Sequence, residues 1–227
     1  MAKKNSSAPS RKARQAQLAK KQQQQRMRYL GVGIGALVLI VVAIYFANRE
    51  PAAVANFEGE LAGVQIDGSP DAPIQIVEFA DFGCPACRQW HNTGAKELLK
   101  AEFGDQIAFV FRHFPVITVN SPLAAQASQC AAEQDAFWAW HDHIYQNTPE
   151  AKLAKGDLQS YALEIGLDSA EFNSCLDSGR YVRYVQDDMQ AARRAGARGT
   201  PSFFINDRPV SSSPSTMAEI IRTMLDG

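Results

Sequence analysis

Cysteine is scarce in this chain of 227 residues, which contains only four. Cys130 and Cys175 each stand alone, so the second close pair that a four-cysteine zinc site would need is missing. Neither of them has a neighbour in sequence with which to form a second redox centre. The other two form one close pair, Cys84-Pro-Ala-Cys87. Any cysteine chemistry is therefore expected at this pair.

Acidic residues are absent from positions 1–28, which contain nine Lys or Arg, and residues 29–47 contain no charged side chain. As a helix, the uncharged run would extend roughly 28 Å, about the hydrocarbon thickness of a bilayer. The positive-inside rule then predicts a basic cytoplasmic tail at 1–28, a transmembrane anchor at 29–47, and the remaining chain on the outer side. Beside such an anchor, the basic tail is better interpreted as a topology determinant than as a nucleic-acid-binding arm.

A cleaved secretion signal is the alternative for this segment, because Ala53-Val-Ala55 resembles a small-residue cleavage site. Its apolar core would exceed the roughly 7–15 residues usual for such signals, so an uncleaved anchor is favoured. In either case the cysteines would face an oxidising compartment. The glycines at 31–35 lie inside the apolar run with no strand before them, which excludes a dinucleotide-binding motif, and we expect no cofactor.

Residues 48–60 are expected to form a linker, and 61–227 are enough for one domain. Apolar patterning predicts strands at 63–67, 73–80, 107–113, 201–206 and 208–211. A helix predicted over 88–103 joins the second and third strands, which makes them parallel neighbours. Helical spacing predicts a helix at 121–133 that either continues or breaks into one at 136–146. Further helices are predicted at 157–165, 169–177, 180–195 and 216–225. The fold class is an α/β sheet domain with a helical insertion at about 121–197.

The two close cysteines follow a predicted buried strand and open the helix behind it. Free N–H groups and the positive end of the helix dipole stabilise a thiolate at a helix start. A second thiol three residues on lies one turn away, close enough to form a small disulfide ring. This layout suits thiol–disulfide exchange, and a purely structural disulfide is the alternative.

Three features resemble the DsbA-like branch of the thioredoxin superfamily, and more narrowly its membrane-anchored bacterial forms. They are the segment Glu78-Phe-Ala-Asp-Phe-Gly-Cys-Pro-Ala-Cys87, the helical insertion, and the segment Gly199-Thr-Pro-Ser-Phe-Phe-Ile-Asn206. The resemblance covers about residues 60–227. It implies a thioredoxin fold with an inserted helical domain, and a role in making or rearranging disulfides in exported proteins.

Cys84 is the predicted nucleophile because the first cysteine of such a pair is the more exposed, and Cys87 would resolve the mixed disulfide. Glu78 lies on the buried strand, where the resemblance implies a carboxyl group that transfers protons to and from Cys87. The alternative for Glu78 is a strand-end acid paired with Lys or Arg. Asp81 is expected in a solvated loop, and His91, one turn beyond Cys87, could tune that cysteine.

Pro201 is the second predicted site element. Local sequence alone favours an ordinary trans proline at the start of a strand. The resemblance instead implies a cis proline that faces the disulfide and leaves the backbone of Thr200 free to pair with an extended substrate.

Cys130 and Cys175 both fall on predicted helices of the insertion. In an oxidising compartment two leftover cysteines more often pair than stay free, so a structural disulfide is favoured over two buried thiols. The segment His141-Asp-His143 does not predict a metal site, because alternate residues on a helix point about 200° apart. These two histidines are expected at core and surface positions of one amphipathic helix.

The leading functional hypothesis is a membrane-tethered oxidoreductase that acts on exported proteins with cysteines and exchanges electrons with a membrane redox partner. Its direction is open. Pro85-Ala86 lacks the histidine of the most oxidising relatives, and threonine before the site proline is frequent in isomerases of this superfamily. Against an isomerase stands a linker too short to hold a dimerisation domain. The same residues are also compatible with a reductase, or with a tethered peptide-binding module of chaperone type.

Overall fold

The computed structural model describes residues 64–147 and 152–226. The strands in these ranges are β1 (Gln65–Asp67), β2 (Ile74–Ala80), β3 (Ile107–His113), β4 (Ser202–Ile205) and β5 (Arg208–Val210). The helices are α1 (Pro85–Asn92), α2 (Ala95–Phe103), α3 (Ser121–Ala132), α4 (Phe137–Asn147), α5 (Lys155–Glu164), α6 (Ser169–Ser178), α7 (Val182–Ala195) and α8 (Pro214–Leu225). A 3₁₀ turn at Gly104–Gln106 joins α2 to β3.

The five strands form one sheet in the order β1-β3-β2-β4-β5. β2 and β3 run parallel, with register from Ile74 opposite Ile107 to Ala80 opposite His113, which confirms the predicted parallel pair. The other three pairings are antiparallel. Both central strands are covered on their two faces, which explains their nearly continuous apolar sequences.

Helices cover both faces of this sheet. On one face, Trp90, Leu99 and Met217 from α1, α2 and α8 pack against β2, β3 and β4. On the other face, the small side chains Ala191 and Ala192 of α7 pack against residues of the same three strands. Helices α3 to α6 share a further core, which also includes Phe82 and both cysteines of the close pair. The predicted α/β class with a helical insertion is confirmed, and the core of the insertion reaches the cysteine site.

The single helix predicted over 88–103 is wrong, because the structure divides it into α1 and α2. Gly94 takes φ +71, a left-handed conformation that glycine adopts at little cost. Thr93 caps the end of the first helix, and α2 starts at Ala95. The apolar spacing on both sides of the break resembles that of one continuous helix, which concealed the change.

The predicted basic tail at 1–28, anchor at 29–47 and linker at 48–60 all lie outside the described residues. Within 64–147 and 152–226, no helix is both long enough and apolar enough to cross a membrane.

Candidate active site

Cys84 occupies the N-cap position of α1, with Pro85 as the first helical residue. Its sulfur accepts a long hydrogen bond of 3.5 Å from the backbone N–H of Cys87. Its thiol donates to the backbone oxygen of Thr200 at 3.2 Å. Cys84 and Cys87 are 4% and 0% exposed, and both are free thiols. The site is therefore a reduced dithiol at a helix start, with one sulfur nearer the surface than the other.

The two thiols have opposite acidities. A hydrogen bond from the Cys87 thiol, assisted by the backbone N–H groups of Ala86 and Cys87, lowers the pKa of Cys84 to about 6 against the opposing effect of burial. Burial raises the pKa of Cys87 far above its usual range, and the hydrogen bond to Cys84 and the charge of Glu78 raise it further. At neutral pH, Cys84 is thus largely a thiolate while Cys87 keeps its proton. The hydrogen bond that Cys84 donates to Thr200 belongs to its protonated form.

Thr200 and Pro201 lie across from Cys84, immediately before β4. The peptide bond between them is cis. The Thr200 side chain also lowers the pKa of Cys84, although its buried hydroxyl oxygen lacks a hydrogen bond of good geometry within the described residues. The structure therefore brings together the close cysteine pair and the proline segment, which are 116 residues apart in sequence.

Glu78 is buried on β2 between Phe111 of β3 and Phe203 of β4. Its two carboxylate oxygens lie 3.3 and 3.2 Å from Nε2 of His91 on α1. The alternative pairing with Lys or Arg is not the one found, because the partner is this histidine. The charge of Glu78 also raises the pKa of Cys87.

The expectation that Asp81 lies in a solvated loop is wrong. Asp81 is buried, and one carboxylate oxygen accepts a hydrogen bond from Gly83 N–H at 2.7 Å. The other accepts from Val116 and Ile117 N–H at 2.8 and 2.7 Å. Three backbone donors replace the water that a carboxylate normally requires. Asp81 thereby joins the cysteine turn to the loop after β3, a contact that no local pattern predicts.

Cys130 and Cys175 are joined by a disulfide that links α3 to α6, with Cα atoms 5.7 Å apart. Both residues are buried in the core of the insertion. This bridge is separate from the Cys84–Cys87 pair in sequence.

The expected core and surface positions of the two histidines on α4 are confirmed, since His141 is fully buried and His143 contacts Glu164 at 3.0 Å near the surface. The sequence did not predict that Nε2 of His141 lies 3.3 Å from Nε2 of His91. The position of His91 one turn after Cys87 indicated from local sequence that His91 belongs to the site. No local pattern connects His91 to His141, which lies fifty positions later.

A cysteine pair of opposed acidities at a helix start, facing a proline segment on a thioredoxin-type sheet, defines a protein thiol–disulfide oxidoreductase. A family model described as thioredoxin matches residues 63–223. The chain belongs to this thioredoxin family.

Solved structures show the same fold. BdbD from Bacillus subtilis aligns with a TM-score of 0.67 and 24% identity, covering 74% of this chain and 95% of that one. A thioredoxin-like oxidoreductase from Silicibacter pomeroyi aligns with a TM-score of 0.65 and 23% identity, covering 73% of this chain and 94% of that one. The thiol-disulfide exchange protein alpha-DsbA2 from Wolbachia pipientis aligns with a TM-score of 0.63 and 17% identity, covering 78% of this chain and 97% of that one. The fold is therefore the DsbA-like variant of the thioredoxin fold.

Curated relatives are similar over a shorter part of their own length. The Na(+)/H(+) antiporter NhaA of Herminiimonas arsenicoxydans is 39% identical over 148 residues, which are 65% of this chain and 23% of that protein. NhaA 1 of Mycolicibacterium gilvum is 33% identical over 166 residues, 71% of this chain and 26% of that protein. The chain thus spans about a quarter of the length of these relatives. The name antiporter refers to each of those proteins as a whole.

Proposed function

We propose that this protein introduces disulfides into exported proteins through Cys84 and Cys87. The observation that carries the proposal is the contact of the Cys84 thiol with the backbone oxygen of Thr200. It places the more acidic sulfur directly beside the segment that precedes β4, and we infer that an extended cysteine-containing polypeptide pairs with the backbone there. BdbD and the other solved relatives have the same fold.

The reaction is an exchange of two thiols for one disulfide. A substrate thiolate attacks Cys84 Sγ of the oxidised pair, and the electron pair of the broken bond moves to Cys87 Sγ, which takes up a proton. A second substrate thiolate then attacks the substrate sulfur of the mixed disulfide and expels Cys84 as a thiolate. The low pKa of Cys84 makes it a good leaving group in this second step.

We place this chemistry on the outer face of a bacterial cell membrane, with residues 29–47 as an anchor and 1–28 in the cytoplasm. The charge asymmetry of the sequence supports this orientation. The Cys130–Cys175 disulfide supports an oxidising compartment. A redox protein of the same membrane would re-oxidise the Cys84–Cys87 pair after each turn.

An isomerase or reductase role at the same site is the second candidate. The pKa of about 6 for Cys84 favours it, because nucleophilic cysteines have a pKa of about 7 in thioredoxin and about 3.5 in the strong oxidant DsbA. Threonine at position 200 also favours an isomerase.

The test is oxidation of a reduced, unfolded secreted protein by the purified oxidised chain, compared with the Cys84→Ser variant. Regain of substrate activity with the parent and loss with Cys84→Ser is the expected result. If Cys84→Ser still restored disulfide-dependent folding, a peptide-binding module would explain the data better. The double variant Cys130→Ser/Cys175→Ser is the matched control and should keep exchange activity.

Direction is decided by equilibrating the Cys84–Cys87 pair with glutathione buffers. A potential towards the value of about −120 mV known for DsbA supports the oxidase role. One near the thioredoxin value of about −270 mV contradicts it and favours a reductase or isomerase.

A further inference from the structure

The backbone oxygen of Thr200 accepts a hydrogen bond from the Cys84 thiol at 3.2 Å. Strand β4 begins at Ser202, whose partner on β2 is Phe79, and its pairing with β5 begins one residue later, at Phe203. Thr200 therefore precedes the first residue of β4 that pairs with a neighbouring strand, so neither β2 nor β5 supplies a backbone N–H to its oxygen. Within residues 64–147 and 152–226, this oxygen depends on Cys84 for its hydrogen bond.

This hydrogen bond exists in only one of the three states of Cys84. A neutral thiol has one S–H to donate, whereas a thiolate and a disulfide sulfur have none. In the thiolate, a negative sulfur faces a partly negative oxygen, so the contact is no longer attractive. The Thr200 side chain has the opposite effect, because it stabilises the thiolate and lowers the pKa of Cys84. Loss of the Cys84 proton, or oxidation of the pair, therefore leaves the Thr200 oxygen without its donor.

We propose that the Cys84 thiol and a backbone N–H of an extended substrate compete for the oxygen of Thr200, so that the state of Cys84 regulates substrate binding. The inference rests on the thiol–disulfide exchange proposed above and adds regulation to the same site. When Cys84 is a thiolate or part of the disulfide, the oxygen accepts from the substrate. When Cys84 is a neutral thiol, the oxygen accepts from Cys84 instead.

The competition affects the end of the reaction, when the oxidised substrate leaves. The second substrate thiolate expels Cys84 as a thiolate, which then takes up a proton from solvent. The new S–H donates to Thr200, and the substrate N–H returns to water. Because the pKa of Cys84 is about 6, the neutral thiol predominates only below that pH. The dithiol form should therefore bind its product more weakly in acid than at pH 8, whereas the disulfide form should bind equally at both.

Other titratable or charged side chains lie on the elements around Cys84, namely α1, the end of β2, α4 and the segment before β4. They are Cys87, His91, Glu78, Asp81, Tyr145 and Arg198. Burial raises the pKa of Cys87 and of Tyr145, so both keep their protons between pH 5 and 8. The variant Cys84→Ser retains all six groups and carries an O–H donor that does not ionise in this range. A pH dependence that is present in the parent and absent from Cys84→Ser therefore belongs to Cys84.

The experiment measures binding without exchange. The probe is a blocked, extended peptide with serine in place of its cysteine and a fluorescent label at one end. Its affinity for the full chain is measured by fluorescence anisotropy between pH 5 and 8, with the oxidised parent, the reduced parent, Cys84→Ala and Cys84→Ser. The last two form a matched pair, because Cys84→Ala removes the donor to Thr200 and Cys84→Ser keeps one.

The net strength of one hydrogen bond corresponds to about a two- to tenfold change in affinity. The reduced parent should bind the peptide weaker by this factor at pH 5 than at pH 8, with a midpoint near the Cys84 pKa of about 6. The oxidised parent and Cys84→Ala should have the higher affinity at every pH, and Cys84→Ser the lower one. Because linkage is reciprocal, saturating peptide should lower the pKa of Cys84 by about 0.3–1 pKa unit.

Equal affinities of Cys84→Ala and Cys84→Ser would overturn the competition, since the two lone pairs of the oxygen would then accept from both donors. An affinity of the reduced parent that does not change with pH would overturn it as well. If no form bound the peptide while exchange with a cysteine peptide continued, the inference alone would fall. If the oxidised parent failed to exchange with a reduced cysteine peptide, the proposed function itself would fall.

Discussion

Replacing Cys87 tests directly why Cys84 is acidic. The hydrogen bond from the Cys87 thiol is the largest contribution to the lowered pKa of Cys84. The variant Cys87→Ala removes this donor and leaves the backbone N–H groups at the helix start in place. Cys87→Ser removes the sulfur but keeps an O–H donor at the same position. The two variants therefore differ mainly in the presence of one hydrogen bond to the Cys84 sulfur.

The magnitude follows from the strength of a hydrogen bond to a charged group, about 1.5–3 kcal/mol, or roughly 1–2 pKa units. The pKa of Cys84 should rise from about 6 to about 7–8 in Cys87→Ala. At pH 7 the thiolate fraction would fall from about 90% to between about 10% and 50%. In Cys87→Ser the pKa should remain near that of the parent.

The assay is titration of Cys84 by thiolate absorbance, checked by the pH dependence of its alkylation by iodoacetamide. The Cys130–Cys175 disulfide leaves Cys84 as the only free cysteine in both variants. If Cys87→Ala titrated with the same pKa as Cys87→Ser, the thiol would not be the main cause. In that case the Thr200 side chain and the backbone N–H groups at the helix start would account for the acidity.

Three further predictions concern stability. Burial lowers the pKa of His113 to about 3 and that of His141 to about 4. In the unfolded chain these histidines bind protons with a pKa of about 6.5. As the pH is lowered from about 6.5 to 4, the free energy of unfolding should therefore fall by up to about 2.7 kcal/mol per pH unit. A free energy that stays constant over this range in urea titrations would contradict this. The double variant Cys130→Ser/Cys175→Ser removes the disulfide that closes a loop with a sequence separation of 45. By the chain-entropy model it should lower the free energy of unfolding by about 4 kcal/mol. Urea unfolding measures this, with Cys84→Ser/Cys87→Ser as the control. Asp81→Ala leaves three backbone N–H groups without their acceptor, one of them buried and two partly buried. It should cost about 3 kcal/mol, more than Asp81→Asn in the same assay.

Much of the fold could be predicted because its elements are encoded locally. The strand at 107–113 is the same in sequence and structure, and the predicted helices of the insertion lie within two residues of the observed ones. Apolar spacing predicts a helix or strand well when the successive residues of the segment follow the same period. It did not predict the break at Gly94, because one residue in a left-handed conformation interrupts the helix without disturbing the apolar pattern.

The sequence by itself determined that a close cysteine pair stands at the start of a helix, because spacing and helix position are properties of adjacent residues. It also determined that positive and apolar residues are segregated at the N-terminal end. Only the tertiary structure decided which distant groups act on that pair. Thr200 meets Cys84, the backbone after β3 meets Asp81, and His141 meets His91. These contacts arise from packing between segments far apart in sequence. Hydrogen bonds then lower the pKa of Cys84, while burial raises that of Cys87.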